Sequence, residues 1–147
     1  MFQIGDYIDF QLLGSNGEIH KTNDYKGKVL VLYTYPKDNT PGCTTQACTF
    51  RDLNQEYTAL NAVVLGLNHG SLKSHQGFIS KFELPFTILV DEDFRLIEPL
   101  GAKKEENKVY RKTYIIDESG KLEKIYDEVS PKNNPEEVLN YIKSRKK

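Results

Sequence analysis

The chain has 147 residues, a length that suits one domain with one hydrophobic core. Hydrophobic residues make up 38% of it and charged residues 28%, which is typical of globular proteins and argues against disorder. The net charge of -1 gives no electrostatic reason to expect a nucleic acid or an anionic membrane as partner. We therefore expect a single domain over residues 1–147 that binds neither.

The sequence contains no apolar run long enough to cross a bilayer. Residues 1–6, Met-Phe-Gln-Ile-Gly-Asp, lack the basic start and apolar stretch of a signal peptide. We therefore expect a cytoplasmic protein, and a disulfide in that compartment is more often transient and catalytic than structural. The basic end, Ser144-Arg-Lys-Lys147, is expected to complement the C-terminus of a last helix.

Hydrophobic periodicity and turn residues predict alternating strands and helices. In chain order, the predicted elements are strands at 7–13 and 28–35, a helix at 40–60, a strand at 62–67, a helix at 71–82, a strand at 86–90, a short helix at 93–100, strands at 112–116 and 122–126, and a helix from 134. Thr40 with Pro41, and Asn134 with Pro135, have the residue types of an N-cap and a first helical position.

This order predicts an α/β fold with a mixed central sheet flanked by helices. The connection from the 28–35 strand to the 62–67 strand should be a parallel, right-handed crossover. The last two strands, joined through Glu118-Ser-Gly120, should form an antiparallel hairpin. Because ligands bind beyond the carboxyl ends of parallel strands, residues 36–43 occupy the expected position of a site.

The only two cysteines of the chain lie early in the predicted 40–60 helix. With Thr40 as N-cap, Cys43 is in the first turn, where unpaired N–H groups and the helix dipole favour a thiolate. Cys48 lies five positions further on, where its thiol can take up whatever Cys43 becomes on oxidation. The preceding Thr-Pro-Gly is a polar context, which argues against Cys43 as a core residue, whereas Cys48 could also simply pack. The pair predicts a redox site.

A disulfide between Cys43 and Cys48 is incompatible with an intact helix. Five helical residues separate their Cα atoms by about 8.6 Å. A disulfide needs a separation below about 7 Å. If the two sulfurs bond, part of the helix must unwind, and the far-UV helical signal is predicted to fall.

No metal site is expected, because two cysteines at this spacing match no common zinc pattern and His20, His69 and His75 do not complete one. His69 is of interest because it follows the 62–67 strand at the sheet end that carries the cysteines. An exposed loop histidine without a role is the simpler interpretation. Arg51 is interpreted as a helix-surface partner of a nearby acid.

The stretch from Pro36 to Cys43 resembles the active-site pattern of the peroxiredoxins, Pro-x-x-x-Thr-x-x-Cys. The longer stretch Tyr-Pro-Lys-Asp-Asn-Thr-Pro-Gly-Cys-Thr-Thr-Gln-Ala-Cys-Thr-Phe-Arg-Asp, residues 35–52, is similar to the bacterioferritin comigratory protein or Q-type branch. The resemblance covers nearly the whole chain and continues through residues 64–67, 84–86, 90–93 and 111–121. It implies a thioredoxin-like fold with an N-terminal β extension.

The resemblance also implies roles for five residues. Cys43 matches the peroxidatic cysteine, which attacks a hydroperoxide, and Cys48 matches the resolving cysteine, which condenses with the resulting sulfenic acid. Thr40 matches the hydroxyl that hydrogen-bonds peroxide and sulfur, a role that competes with N-capping. Pro36 matches the residue that shields the thiolate from water. Arg111 matches the arginine that holds the thiolate and polarises the peroxide, although by itself it would be interpreted as a surface charge.

The implied enzyme reduces hydrogen peroxide and organic hydroperoxides without a metal or organic cofactor. Its disulfide requires an external dithiol, and the family usually employs thioredoxin, sometimes glutaredoxin. A monomer is favoured because the resolving cysteine lies in the same helix, and a dimer is possible. The implied biological role is antioxidant defence.

The chain departs from the branch in two places. Residues 101–109, Gly-Ala-Lys-Lys-Glu-Glu-Asn-Lys-Val, are shorter and more charged than usual, and residues 68–72 lack the acidic, Ser-rich character common there. The 101–109 stretch is expected to border the site. Two other classes stay open: a thiol–disulfide oxidoreductase, which would normally carry Cys-x-x-Cys, and a non-enzymatic redox sensor or chaperone-like module that uses the same unwinding.

Overall fold

The computed structural model describes residues 1–145 of the chain. The strands are β1 (Gln11–Leu13), β2 (Ile19–Lys21), β3 (Val29–Thr34), β4 (Ala62–Asn68), β5 (Thr87–Val90), β6 (Lys103–Lys104), β7 (Lys108–Val109), β8 (Lys112–Ile116) and β9 (Leu122–Tyr126). The α-helices are α1 (Pro41–Asp52), α2 (Asn54–Ala59), α3 (Leu72–Phe82) and α4 (Asn134–Arg145).

Five of these strands form one mixed sheet in the order β5-β4-β3-β8-β9. β3 lies at the centre of this sheet, and all six of its residues are buried, as the continuous apolar run predicted. It pairs in parallel with β4, so that Leu32 lies opposite Leu65, and antiparallel with β8, so that Leu32 also lies opposite Tyr114. The predicted parallel crossover and the β8–β9 hairpin are both confirmed.

The two faces of the sheet bury different parts of the chain, because successive residues of β3 point to opposite sides. On one face, Val29, Val31 and Tyr33 pack with side chains of the four α-helices. On the other, Leu30 and Leu32 pack with two apolar groups, one from the N-terminal extension and one from residues 94–109. These groups are Ile8, Phe10 and Leu12, and Phe94, Leu96, Ile97, Leu100, Ala102 and Val109.

The predicted 40–60 helix is two helices, because Leu53 interrupts the helical geometry. Leu53 ends α1 with φ -98° and ψ 3°, and its N–H bonds back to Thr49 and Phe50. After the break, α2 buries Tyr57, whose hydroxyl donates to the Pro135 carbonyl at 2.6 Å. No Gly or Pro marks this break, so the sequence pattern did not reveal it.

The predicted short helix at 93–100 is wrong, since this segment is a series of turns. The Asp91 carboxylate organises it by accepting from the N–H groups of Arg95, Leu96 and Ile97 at 2.8, 2.9 and 2.8 Å. Phe94 has φ 61°, which is left-handed and interrupts helical geometry. A side-chain acceptor therefore takes the place of the helical ladder while Leu96 and Ile97 are buried.

The N-terminal extension is more broken than the predicted 7–13 strand. Only Gln11–Leu13 is a strand, and it pairs with β2 in a small separate sheet. Tyr7 instead forms an isolated bridge with Lys121, beside the end strand of the main sheet. The extension thus binds both edges, since Gly14 forms a second isolated bridge with Leu89 in β5.

α4 begins at Asn134, as predicted, and carries Glu136 and Glu137 in its first turn and Lys143 and Arg145 in its last. Arg145 donates to Glu118 and Glu123 at distances from 2.7 to 3.2 Å. The part of the predicted basic end formed by Lys146 and Lys147 lies outside the described residues. Over residues 1–145 we find no helix that combines the length and apolar character needed to cross a membrane.

Candidate active site

The two cysteines lie in α1, the helix that follows β3 at the carboxyl end of the parallel strands. Thr40 occupies the N-cap position with extended backbone angles, and Pro41 is the first helical residue, as predicted. Cys43 is in the first turn, and Cys48 is in the same helix. Both are free thiols, in keeping with the argument that an intact helix keeps them apart.

Cys43 is buried with 1% exposure and belongs to the core cluster that contains Ala47 and Phe50. The expectation that its polar sequence context keeps it out of the core is therefore wrong. The reason is that α1 packs its first turn onto the sheet, beside the buried Tyr33 and Tyr35. Cys48 is only half-buried. The Cys43 thiol therefore lies within the core cluster rather than on an open surface.

Arg111 contacts the sulfur of Cys43. Its Nη2 lies 3.4 Å from Cys43 Sγ, and its Nη1 donates to Gln46 Oε1 at 2.7 Å. The interpretation of Arg111 as a surface charge is wrong, since the side chain bridges two residues of α1. Sequence reasoning missed Gln46, although its spacing of three from Cys43 places both on one helix face.

Thr34, at the end of β3, holds the backbone on either side of Arg111, just before β8 begins. The Thr34 hydroxyl donates to the Tyr110 carbonyl at 2.8 Å and accepts from the Lys112 N–H at 3.2 Å. These two bonds bracket Arg111 on both sides. Gly42 leaves room for the guanidinium, because a Cβ there would lie 3.1 Å from Arg111 Nη2.

The loop before α1 carries the other two predicted residues. The Thr40 hydroxyl does not cap the helix, so that part of the N-cap prediction is wrong. It donates instead to the Lys37 carbonyl at 2.9 Å, which leaves its lone pairs available as acceptors. Pro36 is exposed on the same loop. Asn39 turns the loop with φ 60°, a conformation that asparagine tolerates well.

Asp38 anchors this loop in a buried polar network that sequence reasoning missed. Its carboxylate accepts from the Tyr35 hydroxyl at 2.6 Å, the Ser74 hydroxyl at 2.7 Å and His75 Nδ1 at 2.7 Å. Burial alone would raise the pKa of Asp38, but the hydrogen bond and charge of His75, with the two hydroxyls, hold it below the usual value. The Asn68 amide donates to the Tyr35 carbonyl at 2.6 Å.

Tyr33 is an unusual neighbour of the cysteines. Its hydroxyl is buried, and among residues 1–145 it has no hydrogen-bond partner, like Gln46 Nε2. Burial, and next the charge of Cys43, raise the pKa of Tyr33 well above its usual value. The ring stacks on Phe50 with 4.7 Å between centroids. Tyr33 is therefore a neutral, rigid wall of the site at physiological pH.

The interpretation of His69 as an exposed loop residue is wrong. His69 is half-buried and stacks on Phe94 with 5.2 Å between ring centroids. Burial, and next the charge of His75, lower the pKa of His69. Arg51 meets the expected acid, since its Nε lies 3.0 Å from Asp52 Oδ1, and its Nη1 also donates to the Phe82 carbonyl.

Residues 101–109 form a small hairpin, in which β6 pairs with β7 and leads directly to Tyr110 and Arg111. An open cleft of about 710 Å³ lies along it, lined by Glu98, Lys103, Lys104, Glu105, Glu106, Lys108 and Tyr110. In the part of the chain that the structure describes, no three His, Cys, Asp or Glu side chains come together as metal ligands.

Fold and site together define a cysteine-based redox protein of α/β architecture. The AhpC/TSA family matches residues 4–125. Peroxiredoxin Bcp of Bacillus subtilis is 43% identical over 142 residues, covering 92% of this chain and 90% of the relative. Peroxiredoxin Q of Sedum lineare is 35% identical over 140 residues, covering 93% of this chain and 75% of the relative.

Solved structures agree with these relatives. A mutant of Xylella fastidiosa PrxQ superposes with a TM-score of 0.94 at 31% identity, over 100% of this chain and 99% of that one. The bacterioferritin comigratory protein of Xanthomonas campestris, solved in a study of its alkyl peroxide reduction activity, gives a TM-score of 0.91 at 28% identity, over 100% and 99%.

The chain therefore belongs to the AhpC/TSA family. Within that family it is a peroxiredoxin of the Bcp and PrxQ branch, an enzyme with thiol peroxidase function. The predicted thioredoxin-like fold with a mixed central sheet is confirmed. The resemblance stated from the sequence around Cys43 is confirmed as well.

Proposed function

We propose that Cys43 is the peroxidatic cysteine and Cys48 the resolving cysteine of this peroxidase. The observation that carries the proposal is the 3.4 Å approach of Arg111 Nη2 to Cys43 Sγ at the start of α1, with Cys48 in the same helix. The guanidinium charge and the helix N-terminus both stabilise the negative charge of a thiolate. These are the requirements of a nucleophile that attacks oxygen.

In the first step, the Cys43 thiolate attacks the terminal oxygen of a hydroperoxide. The S–O bond forms as the O–O bond breaks, which gives a sulfenic acid and an alkoxide or hydroxide that is protonated to alcohol or water. Arg111 stabilises the negative charge that develops on the oxygens. Thr40 offers its free lone pairs to the peroxide proton, and Pro36 limits the access of water to the sulfur.

In the second step, the Cys48 thiol condenses with the sulfenic acid. The S–S bond forms and one water leaves. Because the two Cα atoms of an intact helix are too far apart, the residues between them must leave the helical conformation first. An external dithiol then reduces the disulfide, becoming a disulfide itself and restoring both thiols.

Thioredoxin or glutaredoxin is the proposed reductant, and hydrogen peroxide or an organic hydroperoxide the proposed substrate. We place the protein in the cytoplasm, as a single domain over residues 1–147 that works as a monomer. The monomer is supported by the presence of both cysteines in α1, so that no second subunit has to supply a thiol.

The test couples NADPH oxidation to peroxide reduction through thioredoxin reductase and thioredoxin, for wild type, Cys43→Ser and Cys48→Ser. The proposal expects no turnover for Cys43→Ser and a large loss for Cys48→Ser. If only glutaredoxin supports activity, the proposed reductant is glutaredoxin and the roles of the two cysteines stand. Failure of every dithiol, with no sulfenic acid at Cys43, would instead favour a non-enzymatic sensor or chaperone-like module.

A further inference from the structure

A buried pair, Asp38 and His75, adjoins the loop that carries Pro36 and Thr40. His75 is 0% exposed and Asp38 is 8% exposed, and their Nδ1 and Oδ2 atoms lie 2.7 Å apart. None of the steps proposed for the two cysteines uses this pair. Burying ionisable groups is costly unless they are paired and hydrogen-bonded, as these two are.

Both ring nitrogens of His75 face acceptors. Nδ1 faces the Asp38 carboxylate, and Nε2 lies 3.3 Å from the backbone oxygen of Asn68. A backbone carbonyl can only accept, so Nε2 carries a hydrogen. The Asp38 carboxylate, which also accepts from Tyr35 and Ser74, requires a hydrogen on Nδ1. This arrangement of acceptors suits a ring that donates from both nitrogens and pairs with the Asp38 carboxylate.

Other titratable groups surround the pair. The Tyr35 hydroxyl faces Asp38 from the end of β3, and burial, and next the charge of Asp38, raise the pKa of Tyr35 well above its usual value. His69 acts from the end of β4, where burial and then His75 lower its pKa while Asp38 and Asp91 oppose them. Tyr35 and His69 are therefore neutral at physiological pH.

The network ties the loop to the sheet and to α3 at several points. Asp38 lies two residues after Pro36 and two before Thr40, and its carboxylate is bound by α3 through Ser74 and His75. At the end of β4, the Asn68 side-chain amide donates to the Pro36 carbonyl at 3.2 Å. A displacement of Asp38 would be transmitted along the chain to Pro36 on one side and Thr40 on the other.

We propose that Asp38 and His75 are positioning residues for the peroxide reaction: their buried ion pair holds the Pro36–Thr40 loop in register over Cys43. This inference rests on the proposed role of Cys43. Displacing positioning groups by about 1 Å can cost about 100-fold in rate. The pair therefore governs the first step, the attack on peroxide, and is not needed to form the disulfide.

The rate of the first step is measured in a Cys48→Ser background, where the sulfenic acid persists and reacts with a 1,3-dicarbonyl trap. Because the chain contains no Trp, rapid quenching with intact-mass detection replaces fluorescence. Asp38→Asn and His75→Asn are each expected to slow Cys43 oxidation by about 10- to 100-fold. Ser74→Ala, which keeps the ion pair, is expected to cost less than either.

A double-mutant cycle separates positioning from general destabilisation. If His75 acts through Asp38, His75→Asn adds little to Asp38→Asn, whereas independent effects multiply. The control is His20→Asn, because His20 on β2 also bonds through both nitrogens, to Tyr25 and Asn16, outside the site. Its oxidation rate should equal that of the background. Multiplied losses, or folded Asp38 and His75 variants with background rates, would overturn the proposal.

Nitrogen NMR of the His75 ring tests the charge state without any peroxide chemistry. One-bond N–H couplings at both ring nitrogens at neutral pH support the ion pair, and their presence at one nitrogen alone contradicts it. In Asp38→Asn the second coupling should disappear. If wild type itself fails to form sulfenic acid, the proposed function is wrong, a result distinct from reactive wild type with unaffected variants.

Discussion

The Arg111 guanidinium and the Cys43 sulfur meet at 3.4 Å although 68 positions separate the two residues in the chain. The pairing of β8 with β3 brings them together, since it places Lys112 opposite Thr34 at the end of the sheet where α1 begins. A second Arg111 nitrogen is held by Gln46, so the direction of the guanidinium is determined as well as its position.

Arg111→Lys is expected to slow Cys43 oxidation by about 100-fold, the usual cost of removing one donor from a developing negative charge. A lysine keeps the charge but has no planar fork with which to bind Gln46 and sulfur together. The measurement is the sulfenic acid trapping rate in the Cys48→Ser background. Arg95→Lys, at an exposed position, is the control and should have no effect. An unchanged rate for Arg111→Lys would remove Arg111 from the mechanism.

Gly42→Ala should separate activity from stability. Alanine is the better helix former by about 1 kcal/mol. Its Cβ, however, would lie 3.1 Å from Arg111 Nη2 and push the guanidinium away from the sulfur. We expect a urea midpoint equal to or above that of wild type, together with slower peroxide reduction.

The matched control for Gly42→Ala is Gly77→Ala on α3, where a Cβ has no atom within 4 Å. This variant should gain about 0.5–1 kcal/mol of stability. Its peroxidase activity should equal that of wild type. Equal activity of both glycine variants would mean that the space at Gly42 does not position Arg111.

Oxidation with one equivalent of peroxide should reduce the far-UV helical signal of wild type. α1 has 12 residues, and a disulfide between Cys43 and Cys48 cannot form while the residues between them are helical. Cys48→Ser, which stops at the sulfenic acid, should retain its signal. A confirmed disulfide with an unchanged spectrum would contradict the unwinding.

Acid stability should depend on Asp38. Its pKa is lowered from the ordinary 3.8, so the folded protein binds fewer protons than the unfolded chain in the range between the two pKa values. The contribution to stability is therefore complete above the unfolded pKa and is lost as the pH falls through the folded pKa. The free energy of unfolding, from urea titrations, should fall more steeply below about pH 4 for wild type than for Asp38→Asn.

The matched control for the acid titration is Asp93→Asn, which changes an exposed aspartate in the turn segment after β5. Its stability should follow the wild-type curve at every pH. If Asp38→Asn also follows that curve, the buried network does not contribute to acid stability.

Sequence patterns predicted the elements of the fold that depend on interactions between residues close in the chain. The apolar run of β3, the Thr40–Pro41 start of α1 and the β8–β9 hairpin depend on near neighbours, and all are present. The break at Leu53 carries no Gly or Pro. The turns after β5 are organised by the Asp91 carboxylate, which accepts from the backbone N–H groups of Leu96 and Ile97. Neither feature has a periodic signature.

The site was predictable only where its residues are close in sequence. Cys43, Cys48, Thr40 and Pro36 fall within one short stretch, and the family resemblance was needed to add Arg111. The Asp38–His75 pair joins positions 37 apart and involves no pattern that distinguishes His75 from an ordinary helix residue. Its partner is apparent only once α3 is packed against the loop.

The burial of Cys43 in the core ties the enzyme's turnover to its folding. Under the proposed mechanism, each round of peroxide reduction withdraws Cys43 from a cluster that includes Ala47 and Phe50 and later returns it. In each catalytic cycle, part of α1 then unwinds and refolds. Substitutions that stiffen the core around Phe50 would protect the resting enzyme against heat and, at the same time, leave its sulfenic acid exposed for longer to a second peroxide.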